Sequence, residues 1–360
     1  MIKRHIEDRT SLRVIAKRLR ETTHSRLSSF TVFNAVKRAS LNSKPLIEII
    51  KELKPSLSGY LHLDGKAIKI KGETKHSLTL FIGFDSKGFP VHQRLIEGEN
   101  KLAIMKFIDE IEKELNYPFK GVISDIQENI AYSVVSKKPK IPHQFCKTHI
   151  LRAIDRVLKT LAYHNQLSKL LKKLRSLKSV FIHPYSIKKQ SLLKELKDAQ
   201  NKIANLKRKY EDILTLRRYL RIYVLSNTFQ KVENRLKKIR RLKIKYKHKK
   251  KIYNLITSLI KYKDNIFAHL RIPYLPTTNN QLENLIKQYE RRLKTIEGFG
   301  KNQKATEGYL NLMGIYQCFK PHTDSRSKNK YKNGKSPLEL AGVSIKGLDW
   351  VRFALKNTNS

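Results

Sequence analysis

The amino-acid sequence predicts an α/β protein: a mixed β-sheet with flanking helices, interrupted by a large α-helical insertion and preceded by a helix-turn-helix. Three observations carry this. Residues 58–100 hold short apolar runs of strand period, and two more such runs follow at 121–125 and 143–146. Residues 150–275 lose that period and take up helical spacing. Residues 1–45 hold two short amphipathic helical patterns joined by a polar stretch.

In the first of those patterns Ser11 serves as a cap, and Leu12, Ile15, Ala16 and Leu19 follow at i, i+3, i+4 and i+7. Polar residues 20–28 lead to a second helix, Ser29 to Arg38, with a basic end. A helix pair of this kind suits a major groove, with Arg38 as a candidate DNA contact. A plain helical hairpin has the same pattern. Pro45 and Pro55 bracket a linker.

Leu61–Asp64, Lys66–Ile70, Leu78–Ile82 and Val91–Ile96 read as strands, with turns at Gly72-Glu73 and Asp85-Ser86-Lys87-Gly88. An amphipathic helix follows, with Ile104, Ile108, Ile111 and Leu115 on one face. Then come the run ending at Asp125, a short helix over 127–136, and a last strand at His143–Cys146. The sum is three antiparallel strands, a helix, a strand, a helix and a strand.

In the helical block, Leu192, Leu196, Ala199, Ile203, Leu206, Tyr210 and Ile213 keep an alternating 4,3 spacing, a coiled-coil-like seam. Pro184 breaks the helix before it. From Lys231 to Ile252 twelve lysines and arginines face one acid, Glu233, which suits a phosphate-tracking surface as well as a solvated helix face. Pro273 and Pro276 close the block. Residues 320–336 read as a polar, mobile tail, and a short helix starts at Ser336.

The chain has 360 residues, 76 lysines and arginines against 30 acids, and a formal net charge of +46. Such an excess favours a polyanion partner through counterion release, so nucleic acid is the expected ligand. Two cysteines, Cys146 and Cys318, exclude a disulfide framework and a four-cysteine zinc site within one chain. His143, Cys146 and His149 are spaced as His-x-x-Cys-x-x-His, but no fourth zinc ligand is evident. The start, Met1-Ile2-Lys3-Arg4-His5, has no apolar signal segment, and no run of eighteen apolar residues occurs, so a membrane partner is not expected. No Gly-rich phosphate loop appears, so no nucleotide cofactor is expected.

Against this basic background three carboxylates stand out: Asp64, Asp125 and Glu283. Tyr60, His62 and Asp64 share one face of a strand, and a buried charge there needs a partner. Asp125 ends an apolar strand, at the edge where open α/β sheets place ligands. Oxygen sites of one or two carboxylates plus substrate phosphate suit Mg2+ (or Mn2+), and two such ions can serve phosphoryl transfer. Glu283 has a structural alternative, since Asn280 to Glu283 has capping-box spacing. Lys287, Arg291 and Lys294 follow it on the same helix as candidate phosphate contacts. Asp85 reads as a turn residue.

These residues carry a resemblance. Leu63-Asp64-Gly65, Ile123-Ser124-Asp125 and Thr278-Asn279-Asn280-Gln281-Leu282-Glu283-Asn284, followed by basic residues and Gly298-Phe299, resemble the three acid motifs of DDE transposases of the RNase H-like superfamily. The nearest likeness is to Mutator-like and bacterial insertion-sequence transposases with a helical insertion. Cys146-Lys147-Thr148-His149 looks like the Cys-x-x-His element found in them between the second acid and the insertion. Many relatives also carry a cysteine-rich zinc module before the catalytic domain, whereas the first cysteine here is Cys146.

The resemblance implies an RNase H-like core over 56–150 and 276–318, a basic α-helical insertion over 151–275, a helix-turn-helix over 1–45 and a basic tail over 319–360. It implies that Asp64, Asp125 and Glu283 are both catalytic and metal-binding, with two Mg2+ ions driving DNA cleavage at transposon ends and strand transfer into target DNA. Lys287, Arg291, Lys294, His149 and Arg38 would contact duplex DNA. A homodimer or larger synaptic assembly, working in the prokaryotic cytoplasm at the nucleoid, is expected. The alternatives are a non-catalytic DNA-binding protein derived from such an enzyme, and a related nuclease acting on RNA or branched DNA.

Overall fold

A computed structural model describes the chain apart from residues 73–77, 99, 183–188, 295, 297–298 and 357–360. The expectations at Glu73, Pro184 and Gly298 lie outside the described residues. In chain order, α1 (Ile2–Ile6), α2 (Leu12–Thr23), α3 (Ser29–Leu41) and α4 (Leu46–Leu53) precede β1 (Tyr60–Ile68), β2 (Leu78–Asp85) and β3 (Phe89–Glu97). Next come α5 (Lys101–Leu115), β4 (Gly121–Ser124), α6 (Glu128–Lys137) and β5 (His143–Phe145). A helical stretch follows: α7 (Lys147–Val157), α8 (Thr160–Ile182), α9 (Lys189–Val224), α10 (Phe229–Lys245), α11 (Lys250–Lys261) and α12 (Lys263–Ile266). The chain then forms α13 (Asn280–Leu293), α14 (Gln303–Phe319), α15 (Pro337–Leu340) and α16 (Trp350–Ala354). The fold is thus mixed α/β, with one five-stranded mixed sheet and many helices.

Two compact units divide it. One combines Met1–Cys146 with Ile272–Ser360, and the other is Lys147–Arg271. In the first unit the strand order is β3-β2-β1-β4-β5. β1, β2 and β3 are antiparallel, and β4 and β5 continue the sheet in parallel with β1. A parallel neighbour needs a crossover connection, which α5 and α6 supply. Leu61, Leu63, Phe81, Ile82, Phe89 and Val91 are buried in the sheet, and Ile104, Phe107, Ile108 and Ile111 of α5 pack into the same core.

The runs 61–64 and 66–70, read as separate strands, form the single strand β1 through Ile68, with Gly65 paired to Phe81 inside it. A glycine flanked by alternating residues is tolerated mid-strand when both neighbours hold the ladder. Ser11 caps α2 by accepting from the Val14 amide, and Ser28 caps α3 from Thr31. Ile15, Ala16 and Val32 form a small core of their own between these two helices. Residues 320–336 are not a loose tail. They fold around a 3-10 turn, Ser327–Lys332, with His322 N donating to Lys335 O at 3.0 Å and Asn333 Nδ2 to Ser325 O at 3.1 Å. Ser336 and Glu339 then form a reciprocal capping box on α15.

The second unit is all helical among the described residues. The 4,3 seam lies on α9, where Ala199 and Ile203 are buried, and Tyr210 meets Tyr163 of α8 at 4.8 Å between ring centroids. The basic stretch falls on α10 and α11, which bury Val232, Leu236 and Ile239, and Ile252, Ile256 and Leu259, and leave most lysines outward. No helix among the described residues is long and apolar enough to cross a membrane.

Candidate active site

The site is built on one face of β1. Alternate residues of a strand point the same way. Tyr60 Oη donates to Pro273 O at 2.9 Å, His62 Nδ1 meets Asn279 Oδ1 at 2.8 Å, and Lys66 pairs with Glu290. The face of β1 therefore meets the segment 273–290 in order, and Asp64 lies between the His62 and Lys66 contacts. Its Oδ1 accepts the Gly65 amide at 2.8 Å.

The opposing stripe of α13 follows from helix geometry. At about 100° per residue, Asn279, Glu283 and Glu290 fall within ~40° of one another around the axis. Two of the three touch β1, so Glu283, only 9% exposed, faces the same strand between them. The other side of α13 buries Leu282, Leu285, Ile286 and Tyr289.

Asp125 comes from the neighbouring strand. The β1–β4 pairs Tyr60↔Gly121, Leu61↔Val122 and His62↔Ile123 end two residues before Asp64 and Asp125. Asp125 sits one residue past β4, at its carboxyl end. The fold thus carries Asp64 on β1, Asp125 just past β4 and Glu283 in the first turn of α13, all within the first unit.

Asn279 holds this corner together. It is fully buried, its Nδ2 donates to Leu63 O at 3.2 Å, and its backbone N–H donates to Cys146 Sγ at 3.2 Å. Because Nδ2 faces a carbonyl, Oδ1 faces His62, whose Nδ1 therefore carries the proton. Ser86 Oγ completes the ring at Nε2, 2.9 Å away. Asn279 also occupies the N-cap position of α13 but makes no side-chain cap bond there. The capping box read at Asn280 to Glu283 is consequently one residue out of register with the helix that forms. Cys146 is buried, its N–H donates to Ser124 O at 2.7 Å, and its Sγ and a Glu283 carboxylate oxygen lie within 4.8 Å of each other.

The surroundings are polar and tightly held. Burial pushes the His62 imidazole down to about 4, against the Asn279 bond and the Asp85 charge. Burial alone pushes His143 down to about 3, and its Nε2 meets Ser124 Oγ at 2.8 Å. Both rings are therefore neutral at pH 7. Glu290 is held below the usual carboxylate range first by its bond from Lys66. Asp85, at the turn into β3, is a buried structural carboxylate that accepts from Ser58 N and Oγ, Lys87 N and Tyr117 Oη.

These histidines make the unit acid-labile. A depressed folded value means that the unfolded chain takes the proton first, so stability falls as pH drops below 6.5 towards the folded values of about 4 and 3. Each ring contributes at most about 1.4 kcal/mol per pH unit, and the two together roughly 3 kcal/mol between pH 6.5 and 5. Trp350 is the only tryptophan and lies in this unit, so urea unfolding followed by its fluorescence reads the change. We expect a clearly lower midpoint at pH 5 than at pH 7, and a His143→Gln variant with a shallower dependence.

The other candidates lie on α3, α7 and α13. Lys287 and Arg291 are exposed on the flank of α13, and Lys294 is exposed at its C-cap. Arg38 is exposed in the last turn of α3. His149 belongs to α7, in the helical unit. The role of Asn279 had no sequence signature beyond its place in the Thr-Asn-Asn stretch, because its partners lie 133 to 217 residues away.

A family model described as the Transposase IS66 family matches residues 105–307, more than half of the chain. The matched range contains Asp125 and Glu283 and begins after Asp64. No curated protein sequence matches the chain closely enough to count as a relative.

Proposed function

Since the chain belongs to the IS66 transposase family, we propose that it is a DDE-type transposase that cuts DNA at transposon ends and joins those ends to target DNA. The observation that carries this reading is the convergence of β1, β4 and α13. The pairing of β1 with β4, which ends two residues before Asp64 and Asp125, and the Asn279 and Glu290 contacts of α13 with β1 support a shared site for Asp64, Asp125 and Glu283. The strand order and the placement of the first two acids on β1 and after β4 support an RNase H-like core.

The donor set fits Mg2+ or Mn2+, since three carboxylates offer hard oxygen ligands at a sheet edge. Bound divalent ions would supply the Lewis acid for phosphodiester cleavage and transfer. The protein's own part is to keep the three acids in place. Gly65 N fixes Asp64, the end of β4 fixes Asp125, and Asn279 fixes the helix that bears Glu283. In a chain of net charge +46 these acids would otherwise repel the phosphate that the surface attracts.

Lys287, Arg291 and Lys294 would contact DNA backbone next to the acids, and His149 would contact it from the helical unit. The α2–α3 pair would act as a helix-turn-helix, with Arg38 towards duplex DNA. Holding two transposon ends at once calls for a homodimer or larger synaptic assembly.

The test is nicking of labelled element-end duplex by the purified protein. Nicking with Mg2+ or Mn2+ that is absent with EDTA is the expected outcome. Tight binding of the duplex without nicking under either metal would leave a DNA-binding protein and no enzyme.

A further inference from the structure

A cavity of about 670 Å3 opens on the flank of α13, between that helix and the folded segment 320–337. Its wall carries six cations, Arg9, Lys87, Lys287, Arg291, Lys320 and Lys332, and one acid, Asp324. Around the α13 axis the cavity-lining residues Gln281, Asn284, Gln288 and Arg291 form a stripe centred about 120° from Glu283, with Lys287 between stripe and acid at about 40°. The cavity therefore lies beside the Glu283 stripe of α13, with Lys287 on its near side.

Two features set this cluster apart from an ordinary basic surface. The cations come from four separate parts of the chain, so the fold gathers them. And none of the six forms an ion pair among the described residues, whereas Lys3, Lys44, Lys51, Lys66 and Lys137 do. Burial and then the Arg9 and Arg291 charges press the Lys320 ammonium down. Burial and then Lys332 and Lys320 do the same to His322. Collecting six like charges around one acid, Asp324, costs free energy, which a bound anion recovers. The volume lies in the ~300–1,000 Å3 range of pockets that hold whole drug-sized molecules, far more than one phosphate ion needs.

We propose that this cleft is a second phosphodiester-binding site, which holds DNA backbone as it leaves the carboxylates along α13. The proposal rests on the reading that the chain acts on DNA. Lys287 and Arg291, one and two turns beyond Glu283, link the two sites, and the 320–332 loop forms the far wall.

The test uses the full-length protein and two measurements. In the first, the salt dependence of duplex binding is compared between wild type, a Lys320→Gln/Lys332→Gln variant, and a control variant, Lys3→Gln/Lys51→Gln, whose lysines are ion-paired to Asp349 and Glu114. Each phosphate contact contributes about 0.9 to the slope of log K against log salt, so the cleft variant should lose about 1.8 and the control nothing. In the second, acylation of lysines in the wild-type protein, read by mass spectrometry, should show Lys320 and Lys332 shielded by added duplex. This readout holds even where a variant folds poorly.

Unchanged slope and unchanged reactivity, while Asp64→Asn still abolishes nicking, would overturn the cleft and leave the enzyme reading standing. A lost slope with normal nicking by Asp64→Asn would uphold the cleft and remove the enzyme. Shielding by inorganic phosphate as complete as by DNA, with no change in slope, would mark a small-anion site and overturn the proposal.

Discussion

Asp64→Asn and Asp125→Asn are each expected to lower metal-dependent nicking by about 10³-fold or more, while duplex binding stays equal or tightens. The exchange is nearly isosteric. In Asp64→Asn the introduced amide can still accept the Gly65 N–H through its oxygen, so the local backbone keeps its bond. What disappears is one negative charge and one strong oxygen ligand beside the neighbouring acid. An amide is a far poorer ligand for a hard divalent ion, and groups that act as a unit lose most of their effect when one is removed. The phosphate meanwhile meets one less repelling charge, so affinity should not fall. Parallel nicking and binding assays on one preparation check both halves. Nicking by either variant at the wild-type rate would show that the acid has a structural role.

Asn279→Ala is expected to have the next largest effect, and it acts through position. The residue touches no reacting group in this account, yet it ties α13 to β1 and to the end of β5. Removing its amide leaves His62 Nδ1–H and Leu63 O buried without that partner. Each orphaned group costs about 1–3 kcal/mol, so a loss of roughly 2–6 kcal/mol in unfolding free energy follows. The catalytic loss should be separable from this. Measured well below the unfolding midpoint, kcat should fall by about 10²-fold with KM little changed, since a small misplacement of Glu283 costs alignment and not ground-state binding. A variant that is destabilised but nicks normally would show that the Asn279 anchor is unnecessary for the site.

Much of this architecture was legible in the residue pattern, and the parts that were not share a cause. The buried strands announced themselves because Leu61, Leu63, Ile82 and Val91 satisfy a local period of two. The α9 seam was readable for the same reason, at a period near 3.5. Ser11 and Ser336 cap helices within three residues of themselves, so local chemistry sufficed. Where distance in sequence enters, the pattern is silent. Gly65 looked like a break because its pairing to Phe81 cannot be seen locally. Residues 320–336 looked loose because Asn333 and His322 find their partners across a loop with no periodicity.

The same division runs through the site. Asp64, Asp125 and Glu283 stood out as acids at element ends in a basic chain. That Glu283 turns towards β1 depends on Asn279 and Glu290, and neither bond has a local signal. The spacing of Lys287 and Arg291 placed them near the last acid but did not show the cleft they line with Arg9 and Lys320. That cleft exists only once the N-terminal and C-terminal segments fold against α13.

The central claim is that three side chains share divalent ions at the junction of β1, β4 and α13. Anomalous diffraction from crystals of the full chain grown with Mn2+ and an element-end duplex tests it most directly. Manganese peaks bounded by oxygens of Asp64, Asp125 and Glu283 are the predicted result. Crystals in which manganese occupies other positions, while these three carboxylates are held only by protein groups, would contradict it.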